Sequence, residues 1–213
     1  FSPCSDFIAI SNGYIAEMIS RDRAGKSFAT HAEIYQQLYF SFYQNTLTLY
    51  QDQYPLFGDA QVMPLKVIWD YTYYWSLLAP LYCAGRLTDI SLLGRLRPAM
   101  EQANALNGQI QKLVRQWGQR NSGPLVPDAR LLDQYSIDWF QRLNSALGSK
   151  DDDQALRDRI HANVALMQQL AAELLAAARA RHPDIDADQL DVLLRDVALP
   201  GPPLLAPAWY ALA

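Results

Sequence analysis

Lys66 and Asp70 are four residues apart, at the start of a stretch that is rich in aromatic residues. On a helix this spacing puts both side chains on one face, where they can form an ion pair. Such a pair in an aromatic environment has shifted pKa values and can take part in proton transfer. The same spacing fits an ion pair that only stabilises the structure. Both interpretations stay open, and we favour the structural one.

The aromatic stretch contains Trp69, Tyr71, Tyr73, Tyr74 and Trp75. Flat rings stack well on aromatic or polyene substrates, and tyrosine hydroxyls can orient such a substrate. These residues point all round a helix, however, as the residues of a buried central helix do. We therefore predict core packing for the group. The candidates for contact with a substrate are Trp69, Tyr73, Tyr74 and Trp75.

A third candidate site lies at the beginning of the sequence, where Ser2, Pro3, Cys4, Ser5 and Asp6 precede an apolar periodic run. Serine and aspartate at this position are typical of a helix N-terminus. The free N–H groups and the positive end of the helix dipole can bind an anion or part of a cofactor. The alternative interpretation is an ordinary helix cap, in which the side chains only satisfy backbone N–H groups.

The opening FSPCSDFIAI resembles a segment of the flavin-dependent halogenases, the tryptophan-halogenase-like branch of the FAD monooxygenases. In that family a loop of the type D-P-[FL]-[FY]-S-P-G-S-D-F-I-A closes the flavin site, and a helix follows it. Residues 1–3 match the loop and residues 5–9 match the helix start. The resemblance implies that residues 2–6 border FAD, where the helix end stabilises a halide or the negative charge on a reduced flavin.

The sequence departs from the family pattern at Cys4, where the family loop usually has glycine. Glycine allows a positive φ and a close approach of a ligand to the backbone. A flavin oxidoreductase without halogenase activity fits this departure as well as a halogenase does. The family's dinucleotide-binding glycines, its W-x-W-x-I-P segment and its catalytic lysine have no counterpart here, so Lys66 is not assigned that role. We expect them upstream of Phe1.

The sequence lacks the motifs of several other classes of enzyme and metal site. No glycine pattern forms a phosphate-binding loop, and no C-x-x-C, H-E-x-x-H or Glu-x-x-His pair predicts a metal site. His31, His161 and His182 are far apart, and a serine-hydrolase elbow is missing. We therefore expect no metal.

Helical periodicity dominates the chain, with no strand alternation, so we predict an all-α fold of about six to seven helices that lacks the FAD-binding Rossmann domain. Residues 1–198 are expected to form one helical domain, and residues 199–213 an extended proline-rich tail. The first predicted helix ends at Gly25, the second is capped by Thr30, and the third spans 61–84 with a kink at Pro80. Pro98 is predicted to open the fourth helix and Asp128 to cap the fifth. The sixth is predicted to run from the acidic trio 151–153 to Arg181, and the last over 186–197.

The composition and charge of the chain argue against some classes of binding partner and location. The net charge is -4, without a run of basic residues, which argues against a nucleic-acid partner. We expect no membrane span, because the longest apolar stretch contains Asp70. Two cysteines do not make a disulfide framework, and no secretory signal is recognisable, so we expect a cytoplasmic protein.

Taken with the resemblance, these features predict the helical, substrate-covering C-terminal part of a halogenase-like oxidoreductase. Its substrate would be aromatic or polyene, including one tethered to a carrier protein, and its partner the FAD-binding N-terminal portion. The isolated chain is expected neither to bind FAD nor to be active. Its uncovered apolar surface would favour homo-oligomers. The alternative is a non-catalytic helical module that binds a hydrophobic ligand or a protein partner.

Overall fold

The computed structural model describes residues 4–121, 132–195, 197 and 201–206. The described residues are mostly helical and contain no β-strand, which confirms the predicted all-α fold. The α-helices are α1 (Cys4–Arg23), α2 (Ala29–Thr48), α3 (Val62–Ser76), α4 (Leu78–Cys83), α5 (Ile90–Arg120), α6 (Asp138–Ser145), α7 (Asp153–Arg181) and α8 (Asp188–Leu194). Short 3-10 turns lie at Tyr54–Leu56, Gln134–Ser136 and Ala146–Gly148.

The core lies along the two longest helices, α5 and α7, which pack against each other. Each turns a largely apolar face inward; Leu106 and Ile110 of α5 and Leu170 and Leu174 of α7 are fully buried. Helix α3 packs on both, and α1 pairs with α2 beside them. The alanines of α7, which predicted a long helix by propensity, also allow close packing on α5.

Several predicted helix boundaries agree with the structure. The side chain of Asp152 accepts a hydrogen bond from the backbone N–H of Ala155, so it is the cap of α7. Gly25 follows α1 with a φ of 67°, a conformation that glycine adopts without strain. The predicted cap Asp128 lies outside the described residues. The helix that it was predicted to open is shorter than expected, because residues 132–137 are not α-helical and α6 begins only at Asp138.

Two predicted helix starts are wrong. Pro98 does not open a helix, because α5 begins at Ile90, capped by Asp89, and Pro98 lies inside it. The helix tolerates the proline because Pro98 and Gly94, whose carbonyl loses its N–H partner, are both exposed to solvent. Thr30 does not cap α2, which starts at Ala29 after Phe28 without a side-chain cap.

The predicted third helix is two helices, and the break precedes Pro80. Leu77 has φ -124° and ψ -70°, which separates α3 from α4. Pro80 has no N–H to donate to the carbonyl of Ser76, four residues earlier. The side-chain amide of Asn163 on α7 donates to that carbonyl instead, at 3.2 Å. If α3 and α4 are counted as one broken helix, the number of α-helices in the described residues agrees with the predicted six to seven.

Candidate functional site

The predicted ion pair forms in the core. Lys66 is only 2% exposed, and its Nζ donates to a carboxylate oxygen of Asp70 one turn further along α3. The same Nζ donates to the backbone carbonyl of Leu49, at 2.9 Å. Because Leu49 is the C-cap residue that directly follows α2, the ammonium group also interacts with the negative end of that helix. Lys66 therefore joins α2 to α3.

Asp70 extends this pair into a network with α5. Its second oxygen accepts a hydrogen bond from the side-chain amide of Gln111, at 2.8 Å. Gln111 also donates to the Oδ1 of Asn107, at 3.3 Å, and that oxygen accepts from the indole N–H of Trp69, at 3.0 Å. We call these five residues the α3–α5 network. It fixes the orientation of Asp70 from two helices.

Burial raises the pKa of the Asp70 carboxyl above its ordinary value, and the effect outweighs the opposing charge and hydrogen bonds of Lys66 and Gln111. The carboxylate is nevertheless partly open, since 23% of its side-chain surface is exposed. It therefore combines a perturbed pKa with access from outside the core, which a purely structural ion pair does not need.

Asp70 faces a cavity of about 340 Å³, which we call the aromatic pocket. This volume is within the range of small-molecule sites. Its wall is mostly aromatic and aliphatic, with a few polar groups. The lining residues are Leu49, Tyr50, Gln53, Phe57, Met63, Lys66, Val67, Asp70, Tyr71 and Tyr74.

Tyr74 connects the aromatic pocket to the start of α1. Its hydroxyl donates to a carboxylate oxygen of Asp6, at 3.2 Å. Asp6, Tyr73 and Tyr74 also line a second, much smaller cavity of about 30 Å³. The residues predicted to border a cofactor and those predicted to contact a substrate are thus in contact at this point.

Three tyrosines beside these cavities, Tyr50, Tyr73 and Tyr74, stay protonated at neutral pH. Burial, with a smaller contribution from Asp70, raises the pKa of Tyr50 to about 12. The pKa values of Tyr73 and Tyr74 are also raised, mainly by burial. Their hydroxyls are therefore hydrogen-bonding groups and not anions, and Tyr73 donates to Asn104 at 2.7 Å.

The four candidate substrate residues have different surroundings. Tyr74 lines the aromatic pocket. Trp69 is fully buried and belongs to the α3–α5 network, and Tyr73 is 9% exposed beside the smaller cavity. Trp75 packs on Phe140, with the ring centroids 4.7 Å apart. Their role in substrate binding stays a prediction.

Three of the predicted cofactor residues, Cys4, Ser5 and Asp6, lie at the beginning of α1. Cys4 and Ser5 are exposed, and Asp6 is half-buried where it accepts from Tyr74. Ser2 and Pro3 lie outside the described residues, so the geometry of the predicted loop is not described. Cys4 and Cys83 are both free thiols.

The polar residues that α5 and the segment between α2 and α3 contribute were not predicted from the sequence. Gln53 is 1% exposed and donates weakly to the backbone carbonyl of Gln111, at 3.5 Å, while its own Oε1 has no partner among the described residues. Asn107 and Gln111 interrupt the apolar face of α5. Two amides four residues apart on an otherwise apolar face were a readable signal for a buried polar network.

Comparisons with known proteins do not test the resemblance to the flavin-dependent halogenases. The chain matches no protein-family model, no curated protein and no solved structure. Over residues 4–121, 132–195, 197 and 201–206, no three acidic, histidine or cysteine side chains converge to hold a metal ion. No helix in the described part of the chain is long and apolar enough to cross a membrane.

Proposed function

We propose that this chain is the helical, substrate-covering part of a halogenase-like flavin oxidoreductase, and that the aromatic pocket holds its aromatic or polyene substrate. The observation that supports the proposal is the position of Tyr74. Its ring lines the pocket, while its hydroxyl donates to Asp6 in the segment that resembles the flavin loop. A substrate held in the pocket would thus lie close to the α1 start.

The lining of the pocket suits a flat, electron-rich ligand. The rings of Tyr50, Phe57, Tyr71 and Tyr74 offer stacking and edge-to-face contacts, and the partly open carboxylate of Asp70 offers one strong acceptor. Lys66 balances the charge of that carboxylate, so the pocket does not need a cationic ligand. In the proposed enzyme, the start of α1 contributes its N–H groups to the flavin side.

The substrate part of the proposal is tested with two alcohols of similar shape, 2-phenylethanol and 2-cyclohexylethanol, by ligand-observed NMR on the chain. After correction for their water–octanol partition, we expect the phenyl compound to bind about fivefold more tightly, because a favourable aromatic pair adds about 1 kcal/mol. Val67→Trp fills the pocket and should abolish binding, whereas Val192→Trp, at an exposed position of α8, should not. Equal binding by both variants would refute the assigned pocket.

The flavin part is tested separately on the natural gene product. Cys4 and Cys83 are both exposed, so maleimide should alkylate both thiols in the absence of cofactor. Bound FAD should slow the alkylation of Cys4 and leave that of Cys83 unchanged. A gene product that binds no FAD, or whose bound FAD protects neither thiol, would contradict a flavin site at the start of α1.

A non-catalytic module that binds a hydrophobic ligand is the second candidate. One observation favours it: the residues that line the aromatic pocket all come from α3 and from the segment between α2 and α3, so a cofactor is not needed to complete it. Such a module would bind the two alcohols in proportion to their partition coefficients. Binding in that proportion, together with a gene product free of FAD, would favour this candidate.

A further inference from the structure

Residues 201–206, which we call the tail segment, lie against α6 and α7 although they form no helix or strand. The carboxylate of Glu173, on α7, accepts hydrogen bonds from two successive backbone N–H groups of this segment. The N–H of Leu204 is 2.8 and 2.9 Å from the two carboxylate oxygens, and that of Leu205 is 2.7 Å from one of them. A charged acceptor makes such bonds stronger than those between neutral groups.

Two further side chains bind carbonyl groups of the tail segment. The indole N–H of Trp139, on α6, donates to the carbonyl of Leu204 at 2.9 Å. The amide of Gln169 donates to the carbonyl of Pro202 at 2.9 Å and to the Glu173 carboxylate at 3.0 Å. Side chains of two helices therefore form hydrogen bonds with both the N–H groups and the carbonyl groups of the segment's backbone.

The leucine side chains complete the contact. Leu205 is 2% exposed and Leu204 is 9% exposed, so both side chains are buried as part of the hydrophobic core. Fully burying a leucine stabilises a contact by about 1.5–3 kcal/mol. Two prolines precede these leucines, which limits the conformations that the segment loses when it docks.

We propose that the groove formed by Trp139, Gln169 and Glu173 is a peptide-docking site for an extended Pro-Pro-Leu-Leu segment, which the chain's own tail segment fills. None of the contacts above requires the peptide to be part of the same chain. A tethered segment has an effective concentration on the order of millimolar, so it keeps a free peptide of the same sequence out of the groove. The site accepts a peptide from another molecule only when the tail segment leaves.

The test uses the full chain with Leu204→Asp and Leu205→Asp, which should release the tail segment and leave the groove intact. A fluorescent, end-capped peptide of residues 201–206 is titrated with this double variant and with the wild type, and its anisotropy is measured. We expect the double variant to bind at least about tenfold more tightly, because the tethered competitor is gone. Val192→Asp, which adds a charge at an exposed position of α8, should behave like the wild type.

Two controls assign binding to the groove. Adding Glu173→Gln to the double variant should weaken the peptide about tenfold, since it removes the charged acceptor. A peptide with Leu205→Asp should not bind. If circular dichroism shows that the double variant loses helix, Leu204→Ala with Leu205→Ala takes its place. Equal binding to wild type and folded double variant, or no binding to either, would overturn the proposal.

Discussion

Two carboxylate–cation pairs of this chain differ in their surroundings more than in their chemistry. Lys66 and Asp70 lie beside the aromatic pocket, with the lysine almost fully buried. Arg179 of α7 and Asp191 of α8 form a bidentate ion pair, in which the side chains are 37% and 43% exposed. Asp70 has a raised pKa although its cation is close, whereas the pKa of Asp191 is lowered by the hydrogen bond and charge of Arg179.

Both carboxylates have a cation close by, so for these two groups the extent of burial, and not the presence of a partner, decides the direction of the pKa shift. In the core, the cost of removing Asp70 from water exceeds the attraction of Lys66. At the surface the hydrogen bond from Arg179, helped by its charge, outweighs the desolvation of Asp191. A carboxylate that is both desolvated and open to a pocket is suited to bind or exchange a proton with a ligand, which the surface pair is not.

The largest expected effect comes from removing the buried cation. Lys66→Met leaves the carboxylate of Asp70 without its charge partner, and we expect the free energy of unfolding at pH 7 to fall by about 3–5 kcal/mol. Urea denaturation followed by circular dichroism measures it. Adding Asp70→Leu removes the unpaired charge and should restore most of the loss. A cost below about 1 kcal/mol for Lys66→Met would mean that this pair behaves like a surface pair.

A smaller loss is expected when only the amide contact to Asp70 is removed. Gln111→Leu keeps the ion pair but deletes a hydrogen bond to a charged group, which is worth about 1.5–3 kcal/mol. Gln102→Leu, at an exposed position of the same helix, is the matched control and should change stability little. If both variants lose the same stability, the network around Asp70 is not what makes Gln111 important.

The surface pair should contribute least to stability. Arg179→Met is expected to lower the free energy of unfolding by no more than about 1 kcal/mol, because exposed pairs gain little over their hydrated state. Repeating the urea titrations at about 1 M salt should shrink this effect, while the effect of Lys66→Met should persist. A loss for Arg179→Met that is large and independent of salt would remove the contrast between the two pairs.

Local patterns predicted the helices well because helix signals act over a few residues. The Asp152 cap and the alanine-rich α7 are examples, and the spacing of Lys66 and Asp70 predicted their contact for the same reason. Pro98 was misread because its usual preference for a first turn was overridden by the apolar residues of α5 that are buried on both sides of it.

The site itself was less predictable, since much of it depends on contacts between distant parts of the chain. Gln111 reaches Asp70 across 41 positions, and Tyr74 reaches Asp6 across 68. The periodicity of one helix does not say which other helix its polar residues meet. Docking of the tail segment on Glu173 was missed for the same reason, because its contacts involve backbone groups that no side-chain pattern reveals.

The final test separates the two pairs by pH alone. NMR titration of the side-chain carboxyls should give a midpoint for Asp70 above the ordinary value of 3.8 and one for Asp191 below it. Because the folded state binds the Asp70 proton more tightly, the stability that Asp70 adds relative to Asp70→Asn should fall as pH rises from 3.8 through its raised pKa. The stability from Asp191, relative to Asp191→Asn, is complete above 3.8 and should be lost as pH falls through its lowered pKa. If the stability that Asp70 adds and the stability that Asp191 adds both increased with pH, the attraction of Lys66 would outweigh burial. Asp70 would then be an ordinary ion-pair partner.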